Sequence, residues 1–284
     1  MRWVICAAFV VALAPSAFAQ DADVLRGSQS VGPQTFTRWS GFYAGGHFDY
    51  SQGSADFHKA TQPLLAYSLR ELTLESQNSV STWPVLNSGR GNASGFGGFV
   101  GYNTQWQDLV LGVEANYTHA PFTATATASP LNRVVAAGSD LDSVNVTGTG
   151  TLRVTDYGSL RARAGYVIDN FMPYGFAGFA MGHGSYAVTA QVSGQQSAAI
   201  PPATSPVLPC DPVANPAYCT DYSFANSAGS NNAVLYGFSF GGGFDMAVTQ
   251  NVFVRAEYEF VQFTPIANIT ATISSVRVGA GLKF

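Results

Sequence analysis

The sequence predicts an all-β fold, an eight-stranded antiparallel transmembrane β-barrel with long extracellular loops, and three observations carry that expectation. First, segments along the chain alternate with a period of two between an apolar, aromatic face and a face of glycines and charges, the signature of a strand with two different surroundings. Second, short polar turns alternate with long connections. Third, no run beyond the amino-terminal one approaches the roughly 18 apolar residues that a membrane helix needs. A membrane chain without such helices must close into a barrel, because every backbone polar group then needs an internal partner.

The alternation is clearest at the end of the chain. Val252, Val254, Ala256, Tyr258 and Phe260 take one parity; Phe253, Arg255, Glu257 and Glu259 take the other. Val276, Val278, Ala280, Leu282 and Phe284 then oppose Ser275, Arg277, Gly279, Gly281 and Lys283. In a soluble sandwich the apolar face would meet a core. Here it is assigned to lipid and the charges to a lumen, because the polar faces hold Gly, Arg and Glu, as a narrow interior requires. The apolar faces carry Tyr and Phe with few large interlocking aliphatics. The rival reading is a secreted β-sandwich or lipocalin-like barrel with the faces reversed.

The chain opens with Met1-Arg2-Trp3, an apolar run Val4 to Ala14, and Ala17-Phe18-Ala19. That order of charge, apolar stretch and small-residue site predicts a signal peptide over 1–19, and the run is too short to span roughly 30 Å of hydrocarbon as a helix. Residues 20–38 read as a polar periplasmic lead-in, and 39–284 as the barrel.

Strand one is expected over Trp39 to Gln52, where glycine on both parities hides which face meets lipid. Asp56 to Asn92 is a long loop, with Leu69 to Leu74 alternating as a hairpin extension would. Strand two runs from Gly95 to Trp106 and turns at Gln107-Asp108. Strand three, Leu109 to His119, sets Leu111, Val113 and Tyr117 against Gly112, Glu114 and Asn116. Ala120 to Thr149 is a second long connection, in which Phe122 to Ser129 and Ser143 to Val154 alternate enough to be strand extensions. Strand four covers Thr151 to Ile168, and Asp169-Asn170 turns into strand five, Phe171 to Val188. Ala190 to Asn232 is a third long loop. Strand six is Ala233 to Val248, strand seven Val252 to Phe263, and strand eight Ile269 to Phe284, with a short loop at Thr264 to Asn268. Each strand exceeds the ~9–11 residues needed to cross at a tilt. Trp39, Trp106, Phe171 and Phe284 are expected in an interfacial girdle.

Charged residues are 11% of the chain, and the formal net charge is −4. Removal of the segment with Arg2 leaves 12 basic against 17 acidic residues, a net of −5. With no basic cluster, nucleic acid is not an expected partner. Cys210 and Cys219 remain as an even pair in a Pro-rich stretch of an exported chain, so a disulfide is expected. A metal reading fails on spacing and on the absence of a nearby His.

Several pieces together carry a family resemblance. They are Trp39-Ser40-Gly41-Phe42-Tyr43-Ala44-Gly45, Gly101-Tyr102-Asn103-Thr104-Gln105-Trp106, Leu111-Gly112-Val113-Glu114-Ala115, Ser159-Leu160-Arg161-Ala162-Arg163-Ala164-Gly165-Tyr166, Val254-Arg255-Ala256-Glu257-Tyr258 and Val276-Arg277-Val278-Gly279-Ala280-Gly281-Leu282-Lys283-Phe284. In order and spacing these resemble the small outer-membrane immunogenic proteins of alphaproteobacteria, eight-stranded barrels akin to the transmembrane domain of outer membrane protein A. The resemblance implies an outer-membrane location, roles in envelope integrity and surface antigenicity and, in some members, haemin binding. The long external loops lie outside the resemblance, which implies that they are where family members diverge and where function sits.

The expected inward set is Glu114, Arg161, Arg163, Arg255, Glu257, Glu259 and Arg277. It is read as charges that fill a narrow lumen and satisfy one another, with a narrow solute pore as the alternative. Eight strands leave an interior just wide enough for side chains, which disfavours an open channel. Gly237-Phe238-Ser239-Phe240-Gly241 spells a hydrolase-type motif, but it lies inside a strand where a strand-to-helix turn is required. No Ser/His/acid set has defensible geometry, so no catalytic residue, metal or cofactor is expected. His58, His119 and His183 fall toward the external rim, where they read as solvated loop histidines or, in the haemin-receptor alternative, as ligands. Phe284 at the terminus resembles the signal read by the barrel assembly machinery. Expected surroundings are outer-membrane lipid and lipopolysaccharide, with host or surface partners meeting the loops.

Overall fold

A computed structural model describes residues 38–128, 130–198, 206, 211–214 and 216–284. The expected signal segment 1–19, the lead-in up to residue 37, Ser129 and Cys210 lie outside the described residues. The elements are β1 (Gly41–Asp56), α1 (Gln62–Leu69), α2 (Thr73–Asn78), a 3-10 turn Val80–Thr82, β2 (Ser88–Trp106), β3 (Leu109–Thr127), β4 (Leu131–Ala137), β5 (Asp140–Tyr166), β6 (Phe171–Ser197), β7 (Cys219–Ala247), β8 (Val252–Phe263) and β9 (Thr270–Lys283).

Every pairing is antiparallel. β1 pairs with both β2 and β9, and β3 pairs with β5, so eight strands close a ring in the order β1-β2-β3-β5-β6-β7-β8-β9. β4 stands outside the ring as a hairpin partner of the upper end of β5. The turns at one end are tight; Gln107 (φ 55°) and Asp169 (φ 55°) adopt the left-handed conformation that a sharp reversal requires. At the other end β5, β6 and β7 run 27, 27 and 29 residues, while β8 runs only 12. A crossing needs ~9–11 residues, so the longer strands rise far beyond it.

The same strands exchange the chemistry of their faces part-way up. On β8 the inward residues are Arg255, Glu257 and Glu259, then Val261 and Phe263. On β5 the outward residues pass from Tyr166 and Leu160 to Thr151, Thr149 and Thr147, while the inward ones pass from Arg163 and Arg161 to Val154, Leu152 and Val146. β1, β3, β6 and β9 change at the same height: Tyr50 gives way to Gln52, Tyr117 to Thr123, Met181 to Thr189 and Val276 to Ser274. The ladders slip there too, between His119 and Phe122, Val154 and Asp156, and Gly184 and Tyr186. A bulge re-aims a strand and raises its twist. Below this belt the wall faces hydrocarbon; above it the wall faces water.

The long segment between β1 and β2 supplies the core of the upper part. Leu64, Leu65, Leu69, Leu74, Val80 and Leu86 are buried against Phe122, Val146, Leu152, Val188, Leu235 and Phe263. α1 opens at Thr61 with Pro63 in its first turn, where a missing N–H costs nothing. Its Leu64, Leu65 and Leu69 share the stripe that turns inward.

Three expectations are corrected. Leu69 to Leu74 is not a strand extension: Leu69 ends α1 and Leu74 lies in α2, because both leucines are consumed by the upper core. The described residues of the connection Ala190 to Asn232 are mostly sheet, since β6 continues to Ser197 and β7 begins at Cys219. Trp39 does not join the girdle. It is 2% exposed, stacks edge-on against Phe253 and lies under the Lys283 ammonium at 4.2 Å, stoppering the near end of the barrel. Trp106 and Phe284 do face outward.

Truncating Leu69 to Ala should lower unfolding stability by about 2–5 kcal/mol, the range for a buried leucine. The matched outward change Leu160→Ala should cost far less, because lipid is as apolar as the side chain it replaces. Urea midpoints of the two variants in the same detergent compare them directly.

Candidate functional site

Inside the spanning part, an ionic cluster joins charged residues from six of the ring strands. Glu114 on β3 sits at its centre. Its Oε1 accepts from Arg161 Nε at 3.0 Å and Nη2 at 2.5 Å, and its Oε2 from Arg255 Nη1 at 2.8 Å, Arg163 Nη1 at 3.2 Å and the Tyr43 hydroxyl at 2.7 Å. Asp245 on β7 accepts from Arg163 Nη2 at 2.7 Å and from Arg255 Nε at 2.8 Å. Glu257 accepts from Arg161 Nη1 and Nη2 at 2.8 and 2.7 Å and from the Tyr174 hydroxyl at 2.8 Å. Arg277 on β9 reaches Asp49 Oδ1 at 3.1 Å and pairs with Glu259. The side chains of these charged groups are at most 2% exposed.

Aromatic rings fill the remaining cross-section. The guanidinium of Arg161 lies 4.0 Å over Phe176, that of Arg163 3.9 Å over Tyr174, and that of Arg255 4.0 Å over Phe99. Guanidinium groups suit this role, being planar, bidentate toward carboxylates and weakly hydrated. Gly101 makes room for the cluster: a Cβ there would strike the Tyr43 phenol that bonds Glu114. Below the cluster Trp39, Phe253, Val110 and Met172 pack as an apolar plug, and above it stands the leucine core. The interior is therefore occupied at three successive levels.

All seven residues of the expected inward set lie in this cluster. Asp49, Asp245, Tyr43, Tyr174 and Tyr157, whose hydroxyl accepts from Arg277 Nη2 at 3.0 Å, complete it and lie outside the expected set. The signal for two of them was parity: Asp49 falls between the outward Phe48 and Tyr50, and Asp245 between Phe244 and Met246.

The rim histidines are not assembled into one site. His58 follows β1, and its N–H donates to Asp56 Oδ1 at 2.9 Å, which holds that carboxylate below its ordinary range. His119 and His183 lie on either side of Asp156 on adjoining strands, at the belt where the faces exchange. His119 Nδ1 pairs with Asp156 Oδ1 at 2.6 Å, and His183 Nε2 with Asn232 Oδ1 at 2.5 Å. Beneath them Gly158, Leu160, Phe179, Met181 and Val234 form a recess of about 550 Å³ on the lipid face. Among the described residues no group of three or more His, Cys, Asp or Glu could hold a metal ion. Cys219 is disulfide-bonded.

Near the top of β5, burial and the neighbouring Asp140 push Asp142 up to about 6, and among the described residues its buried Oδ1 has no hydrogen-bond partner.

A closed antiparallel ring, lipid-facing aromatics and an ion-paired lumen define a membrane-spanning β-barrel. Residues 6–284 match the family described as Outer membrane protein beta-barrel domain, and the chain belongs to that family. Its location is the outer membrane. No curated protein matches. Among solved structures, the chain is similar to OprG of Pseudomonas aeruginosa, at 11% identity and a TM-score of 0.35, covering 88% of this chain and 98% of that one. It is similar to Neisserial surface protein A, at 14% identity and 0.34, covering 86% and 98%. The attachment invasion locus protein of Yersinia pestis matches at 13% identity and 0.30, covering 86% and 99%.

Two outcomes follow from the geometry. Arg255→Ala or Glu257→Ala alone should destabilise the barrel by about 3–5 kcal/mol, because each leaves buried opposite charges uncompensated; unchanged urea midpoints would contradict the pairing. For Asp142, the folded chain keeps a proton that the unfolded chain releases between the ordinary value of 3.8 and about 6. Stability should therefore fall as pH rises through that window and stay lowered above it. Asp142→Asn should raise the unfolding midpoint at pH 7.5 and leave it unchanged at pH 3.

Proposed function

We propose that this protein is a non-conducting, non-catalytic surface barrel of the outer-membrane immunogenic type. It supports the envelope and presents a tall external sheet to lipopolysaccharide, neighbouring molecules and host partners. The observation that carries this reading is the contrast between the two halves of the same strands: a lumen filled at three levels, and a wall that continues beyond the lipid into water. The six matching sequence pieces, from Trp39 to Phe284, support the family assignment. Phe284, outward at the end of the last strand with its N–H donating to Phe42 O at 2.9 Å, serves as the signal for the assembly machinery.

The porin alternative has little to recommend it, since eight strands leave no room beside the Arg161, Arg255 and Arg277 side chains. The haemin alternative rests on His119 and His183 alone, because His58 follows another strand with its own partner.

Purified full-length protein in a planar bilayer should show no steady conductance. On intact cells, Thr147→Cys should react with a membrane-impermeant maleimide and Phe179→Cys should not. A steady channel, or an unreactive residue 147, would overturn the proposal.

A further inference from the structure

The wall is not equally tall all round. β8 ends at Phe263 and β9 begins at Thr270, joined by a short hairpin, while β7 continues up to Cys219. The β7–β8 ladder stops at the pair Gly237 and Phe263, yet the β6–β7 ladder runs on to Ser197 and Cys219. Above the hairpin, β7 is therefore an edge strand, and among the described residues no strand pairs with its outer side.

Which backbone groups point into that gap follows from strand chirality. In a strand of L-residues, the face a side chain takes and the edge toward which its N–H and C=O point are coupled, and both alternate. Tyr236 faces outward, and its carbonyl accepts from the Thr264 N–H at 2.7 Å, on the side away from β6. Outward residues of β7 thus aim their backbone groups away from β6. Higher up, the outward residues are Asp221, Ser223, Ala225, Ser227 and Gly229, all exposed. Ser227 N–H, in the middle of the row, donates to the Asn226 side chain at 2.9 Å, a local substitute for a missing neighbour. The inner face of the same edge is different: Tyr222 and Phe224 are half-buried and lie with ring centroids 6.0 Å apart.

We infer that the β7 edge over Asp221–Gly229 is a docking site for an extended segment of a soluble protein, which adds as an antiparallel strand. Long unprotected edges invite such pairing, and main-chain hydrogen bonds give affinity while alternate side chains give specificity. The segment that fits has apolar residues at alternate positions, to cover Tyr222 and Phe224, and small or polar residues between them. Asp221 favours a cation near the segment's end. A second copy of this chain fits less well. Two copies cross one bilayer in the same sense, so their β7 strands run parallel, the weaker ladder; a soluble segment is free to run antiparallel.

This inference rests on the reading that the sheet stands outside the cell, which the maleimide labelling at position 147 tests separately. The probe is a fluorescein-labelled ten-residue peptide alternating Val and Thr with a terminal Lys, titrated by anisotropy into full-length protein in detergent. Saturable binding is expected. Ala225→Pro removes an N–H on the free edge and leaves the β6 ladder intact, so it should weaken binding at least tenfold. Thr189→Ala, on the outer face of β6, should leave it unchanged. Retention of the boiling-sensitive electrophoretic shift verifies that Ala225→Pro is folded. Amide exchange at Ser223, Ala225 and Ser227 supplies a second readout in the unaltered chain, and should slow when peptide is added. Absence of saturable binding, binding that survives Ala225→Pro in folded protein, or a native dimer that dissociates in that variant would each overturn the assignment.

Discussion

Glu114 accepts hydrogen bonds from three guanidinium groups and a phenol in a space that holds no room for bulk water. Charges taken out of water are tolerable only when paired and fully bonded, so the cluster has to be complete before any part of it is favourable. That condition reaches every strand of the ring: β1, β3, β5, β7, β8 and β9 supply the charges, and β2 and β6 supply Phe99, Tyr174 and Phe176 on which the arginines lie. Strand order and register are therefore constrained from inside. A slip of one residue would turn Arg161 and Arg163 toward acyl chains and their apolar neighbours into the lumen.

The cluster occupies only the height at which the outside is hydrocarbon. There, burying apolar groups inward offers no advantage over leaving them outward, and polar cohesion has to hold the interior together. Higher up the surroundings become water, the usual hydrophobic driving force returns, and valine and leucine take the inner positions. The three ladder slips mark that transition. The plug formed by α1, α2 and the 3-10 turn belongs to the upper regime; its leucines would have no reason to enter the ionic one.

Much of this was legible in the chain because a period of two survives in every spanning segment. Parity alone separated Arg255 and Glu257 from Val254 and Ala256, and the short polar turns set the sense of the hairpins. The first strand resisted because Gly45 and Gly46 occupy both parities, so neither face declared itself. The upper parts of β6 and β7 resisted for another reason. Their outward residues run Thr189, Gln191, Ser193 and Asp221, Ser223, Ala225, Ser227, while their inward ones include Ala190, Gly194, Asn226 and Ala228, and such weak contrast reads as loop. Leu69 and Leu74 alternate in the linear sequence yet belong to helices, because the apolar demand above the membrane comes from the whole ring. Trp39 shows the limit of placing aromatics by position: the same residue type caps a lumen or lines an interface according to which side of the wall the chain passes.

The short β8–β9 hairpin gives the outer rim a low side and a high side. An approaching molecule meets different chemistry according to its bearing. From the high side it finds a palisade of hydroxyls and amides, with Thr149 and Thr189 bonded across strands at 2.7 Å. From the low side it meets the short β8–β9 hairpin and, above it, the upper edge of β7. A crowded membrane would thus sort its residents around this barrel by azimuth, as a ship's berth is decided by which flank has the gangway.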